Sequence, residues 1–292
     1  MLDFIQSLSD GVLFGATYAL IGIGFTLVFG VMHKLNLSYA AASVGGAYCG
    51  LLVLKVFAGA PPLAVFFCAF LAGGLLGYLV YLTCFHFIPI SNPLATLMAT
   101  VGMLLLVDEV IVHQTDGMPL NYPALFDDVM LRAGEFTLRG DLLMVFVVSI
   151  LCMAGLLALL YRTRLGLATR AVSQQAVAAQ LCGIRVGQVN AMTFVITGLL
   201  GGIAGAMIGA SVGTLSPLLT TPLTVKGLIV TVIGGLGSIP GAIVAGLLVG
   251  GFESVLQQYR GVTERDLYVM LLLFVFLVFR PGGLFAPKEG RD

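Results

Sequence analysis

Apolar residues in this chain come in continuous runs of about 20 positions that recur from one end to the other. They do not alternate with polar residues at period two, which argues against an outer-membrane barrel. Nine such segments are predicted, at about 11–31, 38–57, 62–84, 93–112, 141–161, 188–212, 224–236, 240–258 and 267–280. Most are long enough to span hydrocarbon as helices at about 1.5 Å per residue. The seventh, about 13 residues, is short for a crossing. It meets the eighth through Gly234-Gly235-Leu236-Gly237-Ser238-Ile239-Pro240-Gly241, which reads as a broken or re-entrant element. The expected fold is all-α, a polytopic inner-membrane bundle of about nine (8–10) transmembrane segments, with 1–292 forming one membrane domain.

Composition narrows the class. Hydrophobic residues are 59% of the chain and charged residues 10%, against about 25% charged in an ordinary soluble domain. Gly is 38 of 292. A soluble enzyme, a disordered chain and a collagen-like fibre are excluded on those grounds. Lys plus Arg and Asp plus Glu are 14 each, so no global field draws the chain to nucleic acid. The five Cys (Cys49, Cys68, Cys84, Cys152, Cys182) stand apart with no His at ligand spacing, so no metal site or disulfide framework is expected. The acidic start, MLDFIQSLSDG, lacks a basic n-region, and the first apolar run is read as a retained span.

Charge placement sets orientation. Residues 162–187 hold Arg162, Arg164, Arg170 and Arg185 with no acid, which places that loop in the cytoplasm by the positive-inside rule. The tail, with Arg280, Lys288 and Arg291, belongs on the same side. Residues 114–140, with Asp116, Asp127, Asp128 and Glu135 against Arg132 and Arg139, fit the outside, and a hairpin over 130–138 is split at Gly134. The N-terminus is then outside and the C-terminus inside.

Gly201, Gly205, Gly209 and Gly213 recur every four residues along the sixth segment, with Gly198 and Gly202 beside them. Small residues so spaced let helix backbones approach closely, and the run predicts a centrally buried helix. Gly11 with Gly15, Gly73 with Gly77, and Gly246 with Gly250 repeat the spacing.

Chemistry is sparse. No Gly-Lys dipeptide exists for a P-loop, and no HExxH occurs. No enzyme activity, cofactor or metal is implied. Glu253 is the best candidate for an embedded charge, either capping a packing site or pairing with Lys226. Asn36, Ser38, Tyr39, Ser43, Asn92, Thr96 and Thr100 are polar side chains within or at the mouths of apolar segments, and are candidates for a translocation pathway. Hydrogen bonding between helices is the competing reading.

The stretch RTRLGLATRAVSQQAVAAQLCGIRVGQ is the most informative polar piece. It predicts a short helix from Arg170 to Cys182, capped by Thr169, with Val172, Ala176 and Ala179 on one face and Gly183 ending it. A surface-lying connector between spans is the bland alternative.

Arg170-Ala171-Val172, Gln174, Ala178-Ala179, Leu181 and Gly183-Ile184 resemble the pattern TxxGxxxRAVxQ…AxxxGI of the permeases of branched-chain amino acid ABC importers, the LivH-like family. Further ordered blocks are similar to the same family. They include Gly24-Phe25-Thr26-Leu27, Leu35-Asn36-Leu37 with Gly46-Ala47-Tyr48, Ala99-Thr100-Val101-Gly102, and Gly201-Gly202-Ile203-Ala204-Gly205. The 234–242 block and Arg280-Pro281-Gly282-Gly283-Leu284-Phe285 complete the set. The chain departs from the family at Ser38-Tyr39-Ala40, where Ala-His-Gly is common after the Asn.

The resemblance implies an ATP-driven importer of branched-chain amino acids. Two separate ABC ATPase subunits, a second permease subunit, usually different, and an extracytoplasmic substrate-binding protein are its implied partners. Residues 170–184 would be the ATPase-coupling element, and the location the bacterial inner membrane. Urea, short amides or sugars are alternative cargoes within the broad family. A partner-independent channel or secondary carrier is the alternative of another class.

Overall fold

The computed structural model describes residues 2–57, 61–88, 93–124, 130–133, 136–280 and 282–285. Each of the nine predicted segments coincides with one helix: α1 (Leu2–Met32), α2 (Tyr39–Val56), α3 (Pro62–Val80), α4 (Pro93–Thr115), α5 (Gly140–Arg162), α8 (Val186–Val212), α9 (Thr220–Gly234), α10 (Ile239–Arg260) and α11 (Val262–Phe279). Two short helices, α6 (Arg164–Gln174) and α7 (Ala176–Leu181), lie between α5 and α8. Among the described residues, seven helices are long and apolar enough to cross a bilayer: α1, α3, α4, α5, α8, α10, and α9 with its leading 3₁₀ turn Pro217–Leu219. The apolar helix over Tyr39–Leu54 is shorter.

Three segments run past their apolar limits, because polar residues at their ends find partners. The first begins at Leu2 rather than near residue 11, and the Ser7 hydroxyl there donates to the Ser254 carbonyl of α10 at 2.9 Å. The seventh begins at Thr220 rather than 224, and the Thr224 hydroxyl donates back to the Thr220 carbonyl at 2.8 Å. The last begins at Val262 rather than 267, with Arg265 and Asp266 drawn into ion pairs.

Glycine seams hold the centre. Gly11 and Gly15 of α1 face Gly246 and Gly250 of α10; a Cβ on Gly15 would sit 2.7 Å from the Gly246 carbonyl oxygen. Gly73 and Gly77 of α3 face Gly198 and Gly202 of α8, where a Cβ on Gly73 would come 2.7 Å from the Gly202 Cα. Such contact is possible only without side chains and replaces the hydrophobic drive that lipid does not supply. The end of α3 widens into a π-helical turn, Tyr81–His86, whose Tyr81 hydroxyl donates to the Gly187 carbonyl at the start of α8 (3.0 Å).

The two ends of the bundle differ. At one, β1 (Leu120–Asn121) pairs antiparallel with β4 (Thr214–Leu215), Leu120 opposite Leu215, and the Tyr48 hydroxyl donates to the Leu215 carbonyl at 2.7 Å. The predicted hairpin is present as β2 (Met130–Ala133) and β3 (Phe136–Arg139). At the other end, the α9–α10 turn packs Gly237 on Gly30 of α1. The chain beyond α11 returns to this turn: Leu284 N–H donates to the Ile233 carbonyl (2.8 Å) and Phe285 N–H to the Gly234 carbonyl (3.2 Å). Phe285, Thr169 and Arg170 line one cavity there, so the tail and the α6–α7 segment share an end. Helix α9 therefore joins one end to the other.

Candidate functional site

The α6–α7 segment is built from its N-cap. Thr163 leaves α5 in an extended conformation, its hydroxyl accepting from Gly166 N–H at 3.1 Å. Gly166 is pressed against the end of α5, where any side chain would collide with the Leu160 carbonyl. This corrects the expectation of one helix starting after Thr169. Thr169 is buried inside α6, and its hydroxyl donates back to Leu165 O (2.9 Å). The stronger cap six residues earlier starts the helix, and extended Gln175 divides it.

Val172 and Ala179 are buried, while Ala176, placed on the same face by the sequence, is exposed because the break at Gln175 rotates α7. Gly183 ends α7 at φ +86°, and Ile184 N–H closes the turn onto the Ala179 carbonyl (3.1 Å), a C-terminal cap that favours glycine. Arg170 is exposed and lies over the Tyr161 ring, 5.2 Å from its centroid. Gln174 and Ala178 are exposed, and both line an open groove of about 330 Å³ with Ala179 and Ile184. Val177 and Leu181 stand 66% and 85% exposed. The first of these two, an apolar residue turned to solvent, was not legible as such.

Six of the seven polar candidates gather around the α1–α2 turn; Asn92 lies outside the described residues. The Asn36 carboxamide oxygen accepts from Ser38 N–H (3.2 Å) and Ser38 Oγ (2.7 Å) at the start of α2. The Tyr39 ring packs edge-on against Phe25, centroids 5.1 Å apart, and fills the space beside Gly24 and Gly201. Ser43 Oγ donates to the Tyr39 carbonyl at 2.9 Å. Helix α4 presents Thr96, whose hydroxyl accepts from Lys34 Nζ (3.1 Å), and Thr100, whose hydroxyl accepts from Leu37 N–H (3.4 Å). Partial burial lowers the Lys34 pKa from the ordinary lysine value. The turn is thus tied to α4 by two threonine hydroxyls on one helix face.

Of the four-residue glycine row, Gly201 and Gly205 abut Ser43, and Gly209 abuts the Tyr122 ring. Gly213 departs from the row. It caps α8 in the left-handed region, φ +75°, exposed and with nothing near its would-be Cβ.

A second polar cluster joins four helices. Lys226 Nζ of α9 lies 2.6 Å from Glu253 Oε1 of α10 and donates to the Tyr18 hydroxyl of α1 at 3.1 Å. Tyr18 in turn donates to Glu253 Oε1 (3.2 Å). From α11, Arg265 Nε reaches Glu253 Oε1 at 3.0 Å and Asp266 Oδ1 at 3.3 Å, while Asp266 Oδ1 lies 3.6 Å from Lys226 Nζ. Of the two readings for Glu253, the pairing with Lys226 is the one found. That Tyr18, Arg265 and Asp266 join this cluster was not legible in the sequence. The signal for the last two was adjacent opposite charges at the start of an apolar run.

A multi-pass helical membrane bundle with an exposed helix pair at one end is the class of protein that this fold defines. Residues 7–279 match the family model of the branched-chain amino acid transport system / permease component, and the chain belongs to that family. It is 29% identical to the high-affinity branched-chain amino acid transport system permease protein BraD of Pseudomonas aeruginosa, over 98% of this chain and 97% of the relative. It is 27% identical to the LivH permease protein of the corresponding high-affinity system of Escherichia coli, over 99% and 97%. Among solved structures, PsaBC from Streptococcus pneumoniae in complex with Fab is similar in fold, with TM-score 0.50 and 13% identity over 97% of this chain and 92% of that one.

Proposed function

We propose that this chain is the translocating subunit of an ATP-driven importer of branched-chain amino acids in the bacterial inner membrane. The observation that carries this reading is the α6–α7 pair. In a family of transport-system permeases, it holds Val177 and Leu181 uncovered at an end of the bundle rich in arginine. Apolar side chains exposed at an aqueous end call for a protein partner. Two separate ATPase subunits dock on this segment, and they hydrolyse the ATP. A second, different permease subunit completes the pathway within the lipid bilayer, and an extracytoplasmic binding protein delivers the amino acid. The N-terminus faces outward and the C-terminus inward, as the arginines of 162–187 favour.

Transport proceeds by alternating access. The α6–α7 pair must fit different helix arrangements in the two nucleotide states, because a partner without such a difference transmits no work. Asn36, Ser38, Tyr39, Ser43, Thr96 and Thr100 line the route where the α1–α2 turn parts from α4; Asn92 is assigned to the same route from its sequence alone.

The test is reconstitution. The complete complex takes up leucine with ATP and binding protein; the chain alone does not. Solute flux through the chain alone would overturn the reading in favour of a channel, and ATP-driven uptake of urea, a short amide or a sugar in place of leucine would reassign the cargo. Ala179→Trp with Gly183→Val leaves membrane insertion intact and cuts uptake by about 5–150-fold, the range of a typical coupling free energy. Normal uptake in that double variant removes the coupling role.

A further inference from the structure

The Lys226–Glu253–Tyr18–Arg265–Asp266 cluster is evenly charged but unevenly buried. Two cations face two anions, so the group is neutral as a whole. The Lys226 and Glu253 side chains are 11% and 6% exposed, whereas that of Asp266 is 49% exposed. Glu253 receives Lys226, Tyr18 and Arg265 on one oxygen, at 2.6, 3.2 and 3.0 Å. The longest link is the 3.6 Å contact between Lys226 and Asp266. A cavity of about 180 Å³ opens beside that contact, between α9 and α11, walled by Pro222, Val225, Ile229 and Met270. It is smaller than the ~300 Å³ lower bound of drug-sized pockets and suits a small ligand.

Position sharpens the point. Lys226 lies six residues into α9, and Asp266 four residues into α11, both counted from the end opposite α6–α7. Ionised groups within spanning helices face a protein interior or a water-filled path, because hydrocarbon does not solvate them. Asp266, half exposed, is the side of the cluster that the chain leaves open at that end.

We propose that this cavity is a receiving subsite for a zwitterionic aliphatic amino acid. The Lys226 ammonium takes the ligand's carboxylate, the Asp266 carboxylate takes its ammonium, and the apolar wall takes its side chain. A net-neutral ligand inserted into the 3.6 Å contact leaves the cluster neutral; a net cation or anion brings an uncompensated charge into a poorly solvated site. The Lys226–Glu253–Arg265 core persists throughout, so the helices stay joined when Asp266 turns to the ligand. The inference rests on the amino-acid importer reading and assigns it a site.

The experiment uses the permease–ATPase complex in nanodiscs without the binding protein, so that binding-protein selectivity does not enter. Leucine binding is measured by titration, with 3-methylbutylamine, which lacks the carboxylate, and 4-methylpentanoate, which lacks the ammonium, as competitors. Leucine is expected to bind saturably, and each competitor at least about tenfold more weakly. Asp266→Asn weakens leucine binding about tenfold and narrows the preference over 4-methylpentanoate, with Asp266→Glu restoring both. Val225→Phe fills the cavity without altering a charge and abolishes binding, which keeps the test open should Asp266→Asn fail to assemble. Absence of saturable leucine binding, or binding unchanged in Val225→Phe, overturns the subsite. ATP-driven leucine uptake by the wild-type complex with its binding protein is scored separately. Its presence alongside a failed subsite leaves the importer reading standing, and its absence removes both.

Discussion

The α3–α8 seam and the α9–α10–α11 cluster hold helices together by opposite means. At the seam, Gly73, Gly77, Gly198 and Gly202 bring two backbones into contact with no polar side chain involved. At the cluster, four charged side chains and Tyr18 meet across four helices, and one edge, at Asp266, is not enclosed by the chain. The seam is shape alone, so it has one good arrangement. The cluster is a set of exchangeable contacts of 2.6–3.6 Å, so partners can be traded without separating the helices. Within one bundle, the first kind of contact fixes a scaffold and the second permits a ligand or a movement.

That contrast can be broken experimentally. Lys226→Met leaves Glu253 buried beside a single remaining cation, and the loss of a partner from a buried pair costs about 3–5 kcal/mol. Lys226→Met with Glu253→Met is expected to recover most of that in equilibrium unfolding in detergent, since two apolar side chains replace two desolvated charges. Failure to recover would mean that the cluster is not a mutual pairing. Gly202→Ala places a methyl group against the Ala69 carbonyl, a backbone atom that moves only with its helix, for a loss of about 1–3 kcal/mol. No second substitution on α3 is expected to rescue it, because every position it faces is already glycine or backbone. Thr100→Ala, which releases the Leu37 N–H at the α1–α2 turn, is expected to cost only about 0.6 kcal/mol by the same unfolding measurement.

The nine apolar segments were legible because hydrocarbon imposes a length and a composition on any helix that crosses it, whatever its neighbours. The glycine spacing was legible for a related reason: a four-residue repeat of small side chains has few uses in a membrane helix other than close approach. The helix ends were less so. Leu2–Asp10 of α1 and Val262–Asp266 of α11 contain polar residues that look like loop until Ser254, Glu253 and Lys226 are brought to them. In the α6–α7 segment, two threonines were each able to cap a helix, and Gly166 against the end of α5 decided for Thr163. Gly213 satisfied the glycine row by spacing, yet the helix ended one residue before it.

By itself the sequence determined that this chain is a multi-pass helical membrane protein, which helices are apolar, and which family's blocks it carries, since these depend on local composition and order along the chain. Only the tertiary structure decided which glycine meets which, that the tail lies beside the α6 helix, and that Lys226, Glu253 and Arg265 from three helices meet at Tyr18 of a fourth. Such pairings arise between residues up to 247 positions apart, as at Ser7 and Ser254, and a local pattern carries no information about which distant backbone will face it.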